Sequence, residues 1–143
     1  MFVVRHNFQV DVKEIPKVKS FVESTLSNWG VSREDLDDIV LACDEAATNI
    51  ILHAYGPVDE ARRKSDTIEL TLRKKRNVVE VILRDRGISF DMAKVPLPDI
   101  RLNLAGKRRG GFGVHLMRSL MSRIRYQCRD GENRTILLKR LSS

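Results

Sequence analysis

The sequence predicts an α+β fold, a two-layer sandwich in which helices cover one face of a mixed, mostly antiparallel sheet. Between residues 16 and 55 of the 143, apolar side chains recur at helical spacing. From residue 67 onward, β-rich segments joined by short turns dominate. The chain has no internal repeat and no linker rich in Pro, Gly or Ser, so we expect one domain over residues 1–143.

The chain begins with a predicted strand and an amphipathic helix. Residues 3–10 have the mixed alternation of a strand. Pro16 stands where a helix can start, and Gly30 ends the helical pattern. Between them, apolar side chains recur at helical spacing: Val18, Phe21, Val22, Leu26 and Trp29.

A second, longer helix is predicted from Ser32 to Tyr55. Ser32 and Asp35 have the spacing of a capping arrangement at its start. Glycine and proline at positions 56 and 57 end it. Its apolar stripe keeps a period of about 3.6 residues. The stripe consists of Leu36, Ile39, Val40, Cys43, Ala46, Ala47, Ile50 and Ala54.

The second half of the chain predicts two hairpins separated by a loop and a short helix. Residues 67–73 and 78–84 form the first hairpin, with a basic turn. Residues 88–113 contain two prolines and four glycines, so we expect a long loop of the kind that is usually functional. Residues 124–128 and 135–138 form the closing hairpin. Before it, a short helix is predicted from Val114, Leu116, Met117, Leu120 and Met121.

Composition excludes several classes of protein. The longest apolar run has five residues, 39–43, whereas a membrane span needs about 20. Arg5 interrupts the N-terminal apolar residues too early for a secretory signal. Cys43 and Cys128 lie 85 positions apart without a CxxC pattern, which argues against a zinc site or a redox pair. We therefore expect a cytoplasmic protein without membrane contact.

Positive charge is concentrated at the C-terminal end. The chain has a net charge of +7, and residues 106–143 carry 10 basic and 2 acidic side chains against 16 and 17 in residues 1–105. Such an excess is compatible with nucleic acid, an anionic membrane surface, a phosphorylated ligand or an acidic protein partner. Aromatic residues make up only 6% of the chain, so we expect no direct nucleic-acid partner. The basic clusters at 62–64 and 73–76 are expected to be solvated surface.

Three patterns carry candidate chemistry, and the first lies on the long helix. Glu45 and Asn49 are four residues apart and project from one face, with His53 one turn further on. A glutamate can accept the proton of an attacking hydroxyl, and an asparagine carbonyl can be one of the few protein ligands of Mg²⁺. A solvated helix face is the structural alternative for this spacing. For His53, local hydrogen bonding is the favoured interpretation.

The second pattern follows a predicted buried strand and consists of Asp85, Gly87, Phe90 and Asp91. A carboxylate at a strand end, with a glycine that lets a ligand approach the backbone, suits recognition of the exocyclic amine of a heterocycle. A simple Asp/Gly turn is the alternative.

The third pattern is the segment GKRRGGFG at residues 106–113, directly before a predicted helix. Glycines before a helix present backbone N–H groups and the positive end of the helix dipole to a phosphate, and three cations add charge. The spacing matches neither the P-loop nor the dinucleotide-binding motif. A flexible basic hinge is the alternative.

In this order, the three patterns resemble those of the Bergerat-fold (GHKL) ATPases, most closely the small serine-protein kinases that act as anti-sigma factors in bacterial partner-switching systems. Residues 44–55, DEAATNIILHAY, are similar to the N box of that family. Residues 85–91, DRGISFD, and 110–116, GGFGVHL, are similar to its two glycine boxes. Ser89 stands where the family often has Gly or Pro, and Phe112 where it often has Leu.

The resemblance implies a role for each matching residue. Glu45 would be the general base toward the acceptor serine hydroxyl, and Asn49 the Mg²⁺ ligand. Asp85 would read the adenine, and Thr135, in the last strand, would lie near it. Residues 92–109 would form the ATP lid. The remaining implied nucleotide contacts are Gly87 beside the adenine and, around the phosphates, Lys107, Arg108, Arg109, Gly110, Gly111 and Gly113.

The resemblance also implies function and partners. It predicts an ATP- and Mg²⁺-dependent serine-protein kinase that phosphorylates an anti-sigma-factor antagonist of the STAS type, sequesters a sigma factor and forms a homodimer. A catalytically weak nucleotide-binding module that regulates its partner by sequestration is the alternative. A basic nucleic-acid binder ranks last, because it leaves the glycines and carboxylates unexplained. A histidine-kinase catalytic domain is also conceivable, but the chain has no room for the accompanying pair of dimerisation helices.

Overall fold

A computed structural model describes residues 1–89 and 110–142 as one sheet with helices on one face. Strand β1 spans Phe2–Gln9, helix α1 Ile15–Asn28 and helix α2 Arg33–Asn49. A π-helical turn, Ile50–Ala54, continues α2. The remaining elements are α3, Glu60–Ser65; β2, Thr67–Lys75; β3, Val78–Asp85; α4, Gly110–Leu120; β4, Arg123–Arg129; and β5, Glu132–Arg140.

The sheet has the order β1-β2-β3-β5-β4, and every neighbouring pair in it is antiparallel. The predicted α+β class is confirmed, and both predicted hairpins are present as β2–β3 and β4–β5. Strands β1 and β4 form the two edges. Helix α2 lies between α1 and α4 on one side of the sheet.

The core lies between the sheet and the helices. One row of paired side chains crosses the sheet on the helix side: Val4, Leu72, Val81, Leu137 and Ile124. Helix α1 contributes Val18, Val22 and Leu26, each with no exposed surface. Because burial of such a side chain is worth roughly 1.5–3 kcal/mol, this alternation of strand residues fixes which face the helices cover.

The starts of the helices follow their sequence signals. Pro16 occupies the first turn of α1. The Ser32 hydroxyl accepts a hydrogen bond from the backbone N–H of Asp35 at the start of α2. At the other end of α1, Gly30 has a φ of +78°, a left-handed conformation that glycine adopts without strain.

The helices differ from the sequence prediction in three respects. The α-helical part of α2 ends at Asn49 rather than Tyr55, because the last turn is π-helical. Helix α3 was not predicted, since it has only six residues and no buried side chain. Helix α4 starts at Gly110, four residues before the predicted start. Within the described residues, no helix is long and apolar enough to cross a membrane.

Candidate nucleotide site

The site candidates converge where β3 and β5 lie side by side at one end of the sheet. Asp85, the last residue of β3, pairs in register with Asn133 of β5, which pairs with Cys128 of β4. Since directly opposed residues share a face, this row lies on the helix side of the sheet. The strand pairing therefore brings an acid, an amide and a thiol together at one edge of the core.

Asp85 is a buried carboxyl group held by two donors. Its side chain is 3% exposed, and Oδ1 accepts hydrogen bonds from Asn133 Nδ2 and from the backbone N–H of Gly87, each at 2.9 Å. Within the described residues, Oδ2 makes no hydrogen bond. Burial raises the pKa of Asp85, and these two hydrogen bonds only partly offset it, while the charge of Glu132 adds to the rise. One carboxyl oxygen is thus fixed and the other can accept a ligand donor.

Gly87 is needed for packing within the chain. A Cβ at this position would lie 2.6 Å from the carbonyl oxygen of Ala54 and 2.9 Å from the Ala54 side chain. The sequence associated this glycine with close approach of a ligand, whereas the contact seen in the structure is with the π-helical turn. Any side chain here would push the loop after β3 away from α2.

Two hydrogen bonds hold the loop after β3 against the end of α2. The backbone N–H of Ile88 donates to the carbonyl of Ala54 at 2.7 Å, and the backbone N–H of Arg86 donates to the hydroxyl of Tyr55 at 3.0 Å. Tyr55 has no exposed surface, and its burial raises its pKa to about 12. The helix that carries Glu45 and Asn49 is therefore tied directly to the loop that positions Asp85.

The basic cluster at residues 62–64 contacts the same junction between the end of α2 and the loop after β3, and it is only partly solvated. The guanidinium of Arg63 donates to three carbonyls, those of Tyr55, Gly56 and Val58, at 3.0–3.3 Å. Arg62 donates to the carbonyl of Arg86. Arg62 is exposed, as expected for a solvated surface, whereas Arg63 is half-buried because its side chain reaches back to carbonyls that follow the π-helical turn.

Glu45 and Asn49 lie one turn apart on α2, but they differ in burial. Glu45 is half-buried, whereas Asn49 is 3% exposed and its Nδ2 has no hydrogen-bond partner among the described residues. A buried amide without a partner is costly, so this position fits a bound polar ligand. Asn49 could hold Mg²⁺ through its carbonyl oxygen.

His53 does not continue the row of Glu45 and Asn49 in the way an α-helix would. It lies in the π-helical turn, whose wider winding rotates it away from the α-helical position. Its side chain is exposed. Carboxylate or imidazole clusters of three or more members that could hold a metal are absent among the described residues.

Thr135 lies one layer deeper than Asp85. It is fully buried and pairs with Leu83 and Tyr126 in the sheet, and its hydroxyl oxygen has no hydrogen-bond partner in the part of the chain that the structure describes. The residue that contacts Asp85 is Asn133, 1% exposed, which also donates to the carbonyl of Gly87 at 2.9 Å. Sequence reasoning missed Asn133. Part of the signal was available, because residues two apart on a strand share a face and Asn133 therefore lies on the face of Thr135, whereas its pairing with Asp85 needed the structure.

Ser89 contacts two members of the row formed by Asp85, Asn133 and Cys128. Its hydroxyl donates to Asn133 Oδ1 at 3.2 Å and lies 3.0 Å from the sulfur of Cys128, which is exposed. One of the two positions at which the sequence departs from the pattern it resembles thus has a defined partner in β5.

Part of the predicted phosphate site lies outside the described residues. This applies to the lid, residues 92–109, and to Lys107, Arg108 and Arg109. Gly110, Gly111 and Gly113 form the first turn of α4, where the sequence predicted a loop. The backbone N–H groups of such a turn are unpaired within the helix, and they suit an anion.

Comparisons with known proteins agree with this geometry. Residues 8–139 match the model of the histidine kinase-like ATPase domain. The chain is 36% identical to the serine/threonine-protein kinase BtrW of Bordetella bronchiseptica over 99 residues, 69% of this chain and 66% of that protein. It is 30% identical to the serine-protein kinase RsbW of Bacillus cereus over 116 residues, 78% of this chain and 68% of that protein. The chain thus spans about two thirds of these relatives.

A solved structure has the same fold. The RsbU and RsbW domains of Rv1364c from Mycobacterium tuberculosis match 99% of this chain and 33% of that chain, with a TM-score of 0.70 at 18% identity. The family match covers nearly the whole chain and includes all the residues of the Asp85 row. The chain therefore belongs to the histidine kinase-like ATPases and, among them, to the serine-protein kinases of the RsbW and BtrW type.

Proposed function

We propose that the chain transfers a phosphoryl group from ATP to a serine of a STAS-type anti-sigma-factor antagonist, and that it sequesters a sigma factor. The observation that carries the proposal is the buried Asp85, fixed through one oxygen and tied to the helix of Glu45 and Asn49. The kinase names of the relatives support the reaction type.

In the proposed complex, Asp85 reads the adenine. Its Oδ2 accepts a hydrogen bond from the exocyclic amine, while Oδ1 keeps its hydrogen bonds from Asn133 Nδ2 and from the backbone N–H of Gly87. Both donors favour the charged form of Asp85, the form that accepts a hydrogen bond from an amine. Asn133 is thus a positioning residue for nucleotide recognition.

In this proposal the phosphates are bound by residues of α2 and of the start of α4. Asn49 would hold Mg²⁺, and the metal would supply charge neutralisation for the phosphates. The first-turn N–H groups of α4, together with Lys107, Arg108 and Arg109, bind phosphate oxygens. Residues 92–109 close over the nucleotide as the lid. Thr135 contributes its unpaired hydroxyl deeper in the pocket.

Glu45 acts on the protein substrate. Its carboxylate accepts the proton of the serine hydroxyl as the oxygen attacks phosphorus, a contribution that is typically worth about 10²–10⁴-fold in rate. Half-burial keeps Glu45 accessible to a second protein. The reaction then depends mainly on positioning and on charge neutralisation, as in other phosphoryl transfers.

The test is phosphoryl transfer with matched variants. Wild type, Glu45→Gln and the control Glu34→Gln, which changes an exposed glutamate in the first turn of α2, are incubated with Mg²⁺, labelled ATP and candidate antagonists. We expect label on a serine with wild type and control, and a loss of about 10²-fold or more with Glu45→Gln at unchanged ATP affinity. ATP binding without transfer to any antagonist would favour a module that regulates its partner by sequestration alone.

We further propose that the chain works as a cytoplasmic homodimer, with one ATPase domain over residues 1–143. Dependence on ATP supports the location, and the resemblance to anti-sigma-factor kinases supports the dimer. Sedimentation of the purified chain with and without ATP tests the oligomeric state, and a monomer at all concentrations would contradict it.

A further inference from the structure

The C-terminal charge excess is only partly accounted for by the nucleotide site. Five arginines of the β4–β5 hairpin lie on the side of the sheet opposite the helices: Arg123, Arg125, Arg129, Arg134 and Arg140. We call them the arginine face. Glu132 is the acidic residue of these two strands on the same side. All five arginines are exposed.

Strand alternation fixes this orientation. Ile124 and Leu137 pair with each other and pack against the core, so their neighbours along each strand point to the other side. There, Arg125 pairs with Ile136 and Arg123 pairs with Leu138. Ile136 is only 9% exposed, which places an apolar centre beneath a rim of guanidinium groups.

Carboxylates balance little of this charge. Glu132 accepts a hydrogen bond from Arg134 at 2.9 Å and lies 3.8 and 3.9 Å from Arg86 and Arg84. Arg129 has Asp130 at 3.9 Å, with both side chains over 90% exposed. Within the described residues, Arg123, Arg125 and Arg140 have no carboxylate within ion-pair distance.

The neighbouring hairpin is different. On the same side of β2 and β3, Arg73 is bonded to Glu80, and Arg84 is bonded to Glu69 at 2.7 Å. A surface that only needed solubility would show such pairing or mixed signs across the sheet. Arginines without an ion pair are instead concentrated on β4 and β5, and Arg5 of β1 is the other strand arginine on this side that lacks one among the described residues.

We propose that the arginine face binds a carboxylate-rich surface of a protein partner. Arginine binds carboxylates through a planar fork and is enriched at protein interfaces, and an apolar centre with a charged rim is the usual anatomy of such a surface. A second copy of this chain fits poorly, because two such faces would oppose like charges.

Nucleic acid is the less favoured occupant. The strand residues on this side of the sheet include no aromatic side chain on which a base could stack, since Tyr126 lies on the helix side. The face is also on the opposite side of the sheet from the Asp85 row. A partner bound there leaves the nucleotide site accessible, which distinguishes this surface from the cationic phosphate site.

The experiment uses the full chain and poly-glutamate as the probe. Binding is measured at low and high salt for wild type, for Arg123→Gln/Arg125→Gln, and for the control Lys17→Gln/Lys64→Gln, which removes two charges from side chains that are each 75% exposed. We expect about fivefold weaker binding for the arginine variant and unchanged binding for the control, as two exposed ion pairs imply. Backbone amide resonances of β4 and β5 should shift on titration, and saturating ATP should not displace the probe.

Three outcomes would overturn the proposal. Equal weakening in both variants would reduce the interaction to net charge. Displacement of poly-glutamate by ATP would place it at the phosphate site. Tighter binding of a DNA duplex than of poly-glutamate, lost in the arginine variant, would make the face a nucleic-acid surface. Unchanged melting temperature and ATP affinity of the arginine variant show that loss of binding is not loss of fold.

Discussion

In the proposed function, Asp85 combines nucleotide recognition with a cost in stability. Burial favours its protonated form, so the folded chain holds that proton more tightly than the unfolded chain. The free energy of unfolding therefore falls as the pH rises from the ordinary carboxyl range through the raised pKa of Asp85. Above the raised pKa the buried charge is present at the expense of stability.

The variant Asp85→Asn separates the two effects. The amide oxygen can still accept from Asn133 and Gly87, and no buried charge remains. We expect an equal or higher melting temperature at neutral pH, with an advantage over wild type that shrinks as the pH falls. ATP affinity should drop by about 10- to 100-fold, since an amide donor would face the adenine amine. Melting curves across pH, with and without ATP, check both, and retained ATP affinity would contradict the role of Asp85.

Gly87→Ala tests the contact between the loop and α2. The added Cβ would lie 2.6 Å from the carbonyl oxygen of Ala54, so backbone must move, at a cost of about 1–3 kcal/mol. We expect lower stability and weaker ATP binding. Gly131→Ala is the control, because that glycine has a φ of +77° and open space around it. It should lose stability without losing ATP affinity, as calorimetry would show.

The site was predictable from sequence where a residue's chemistry is unusual for its position. A carboxylate ending an apolar strand identified Asp85, and the structure places it with Gly87. Asn133 was missed, since an asparagine near a turn is common and only strand pairing puts it beside Asp85. Long-range register is not encoded in local sequence, so contacts across β3 and β5 needed the structure.

At the scale of elements, the π-helical turn is the least predictable feature. The apolar period of residues 36–54 is that of an α-helix, and one extra residue in a turn leaves that pattern nearly unchanged. The turn places the Ala54 carbonyl and the Tyr55 hydroxyl where the loop after β3 needs acceptors. Such turns are frequent at functional sites.

Tyr55→Phe tests this junction. It removes the acceptor of the Arg86 N–H and leaves that donor unsatisfied, so we expect a loss of about 1–3 kcal/mol in the free energy of unfolding. Amide hydrogen exchange should become faster at Arg86 and Ile88, while the core of β2 keeps its protection. Unchanged exchange at both amides would contradict the coupling between α2 and the loop after β3.

At the scale of the molecule, the Asp35 carboxylate holds the C-terminal end of the described chain against the start of helix α2. Asp35, 4% exposed at the start of α2, accepts hydrogen bonds from the backbone N–H and hydroxyl of Ser142 at 2.9 and 2.8 Å and from Ser32 at 3.2 Å. Burial works to raise the pKa of Asp35, but these hydrogen bonds and the charge of Lys139 outweigh it, so the pKa is lowered.

Asp35→Ala should therefore cost about 2–3 kcal/mol in the free energy of unfolding at neutral pH. Because the folded pKa is depressed, this contribution is present above the ordinary carboxyl range and disappears as the pH falls through the lowered pKa. Chemical denaturation at several pH values measures it. Asp37→Ala, on the same helix with a side chain that is 60% exposed, is the control and should change stability by less than about 0.5 kcal/mol. Equal effects of the two variants would contradict the tether.

The overall architecture was largely predictable, because apolar residues recur about every 3.6 residues in the helices and about every 2 residues in the strands. The strand order β1-β2-β3-β5-β4 and the tether from Ser142 to α2 were not, since both join residues that are distant along the chain. The arginine face was visible as a charge excess. The structure was needed to show that the alternation of residues along β4 and β5 places these arginines on one side of the sheet.

The two cysteines differ in exposure, so that Cys128 can be labelled selectively in the folded chain. Cys43 has no exposed surface, and burial raises its pKa to about 12, so it should resist alkylation while the fold is intact. Cys128 is exposed and sits 3.0 Å from Ser89 in the Asp85 row. One maleimide dye per folded molecule is the expected stoichiometry, with two after denaturation, as mass spectrometry would count. A dye on Cys128 would follow nucleotide arrival and departure in real time, without any engineered cysteine.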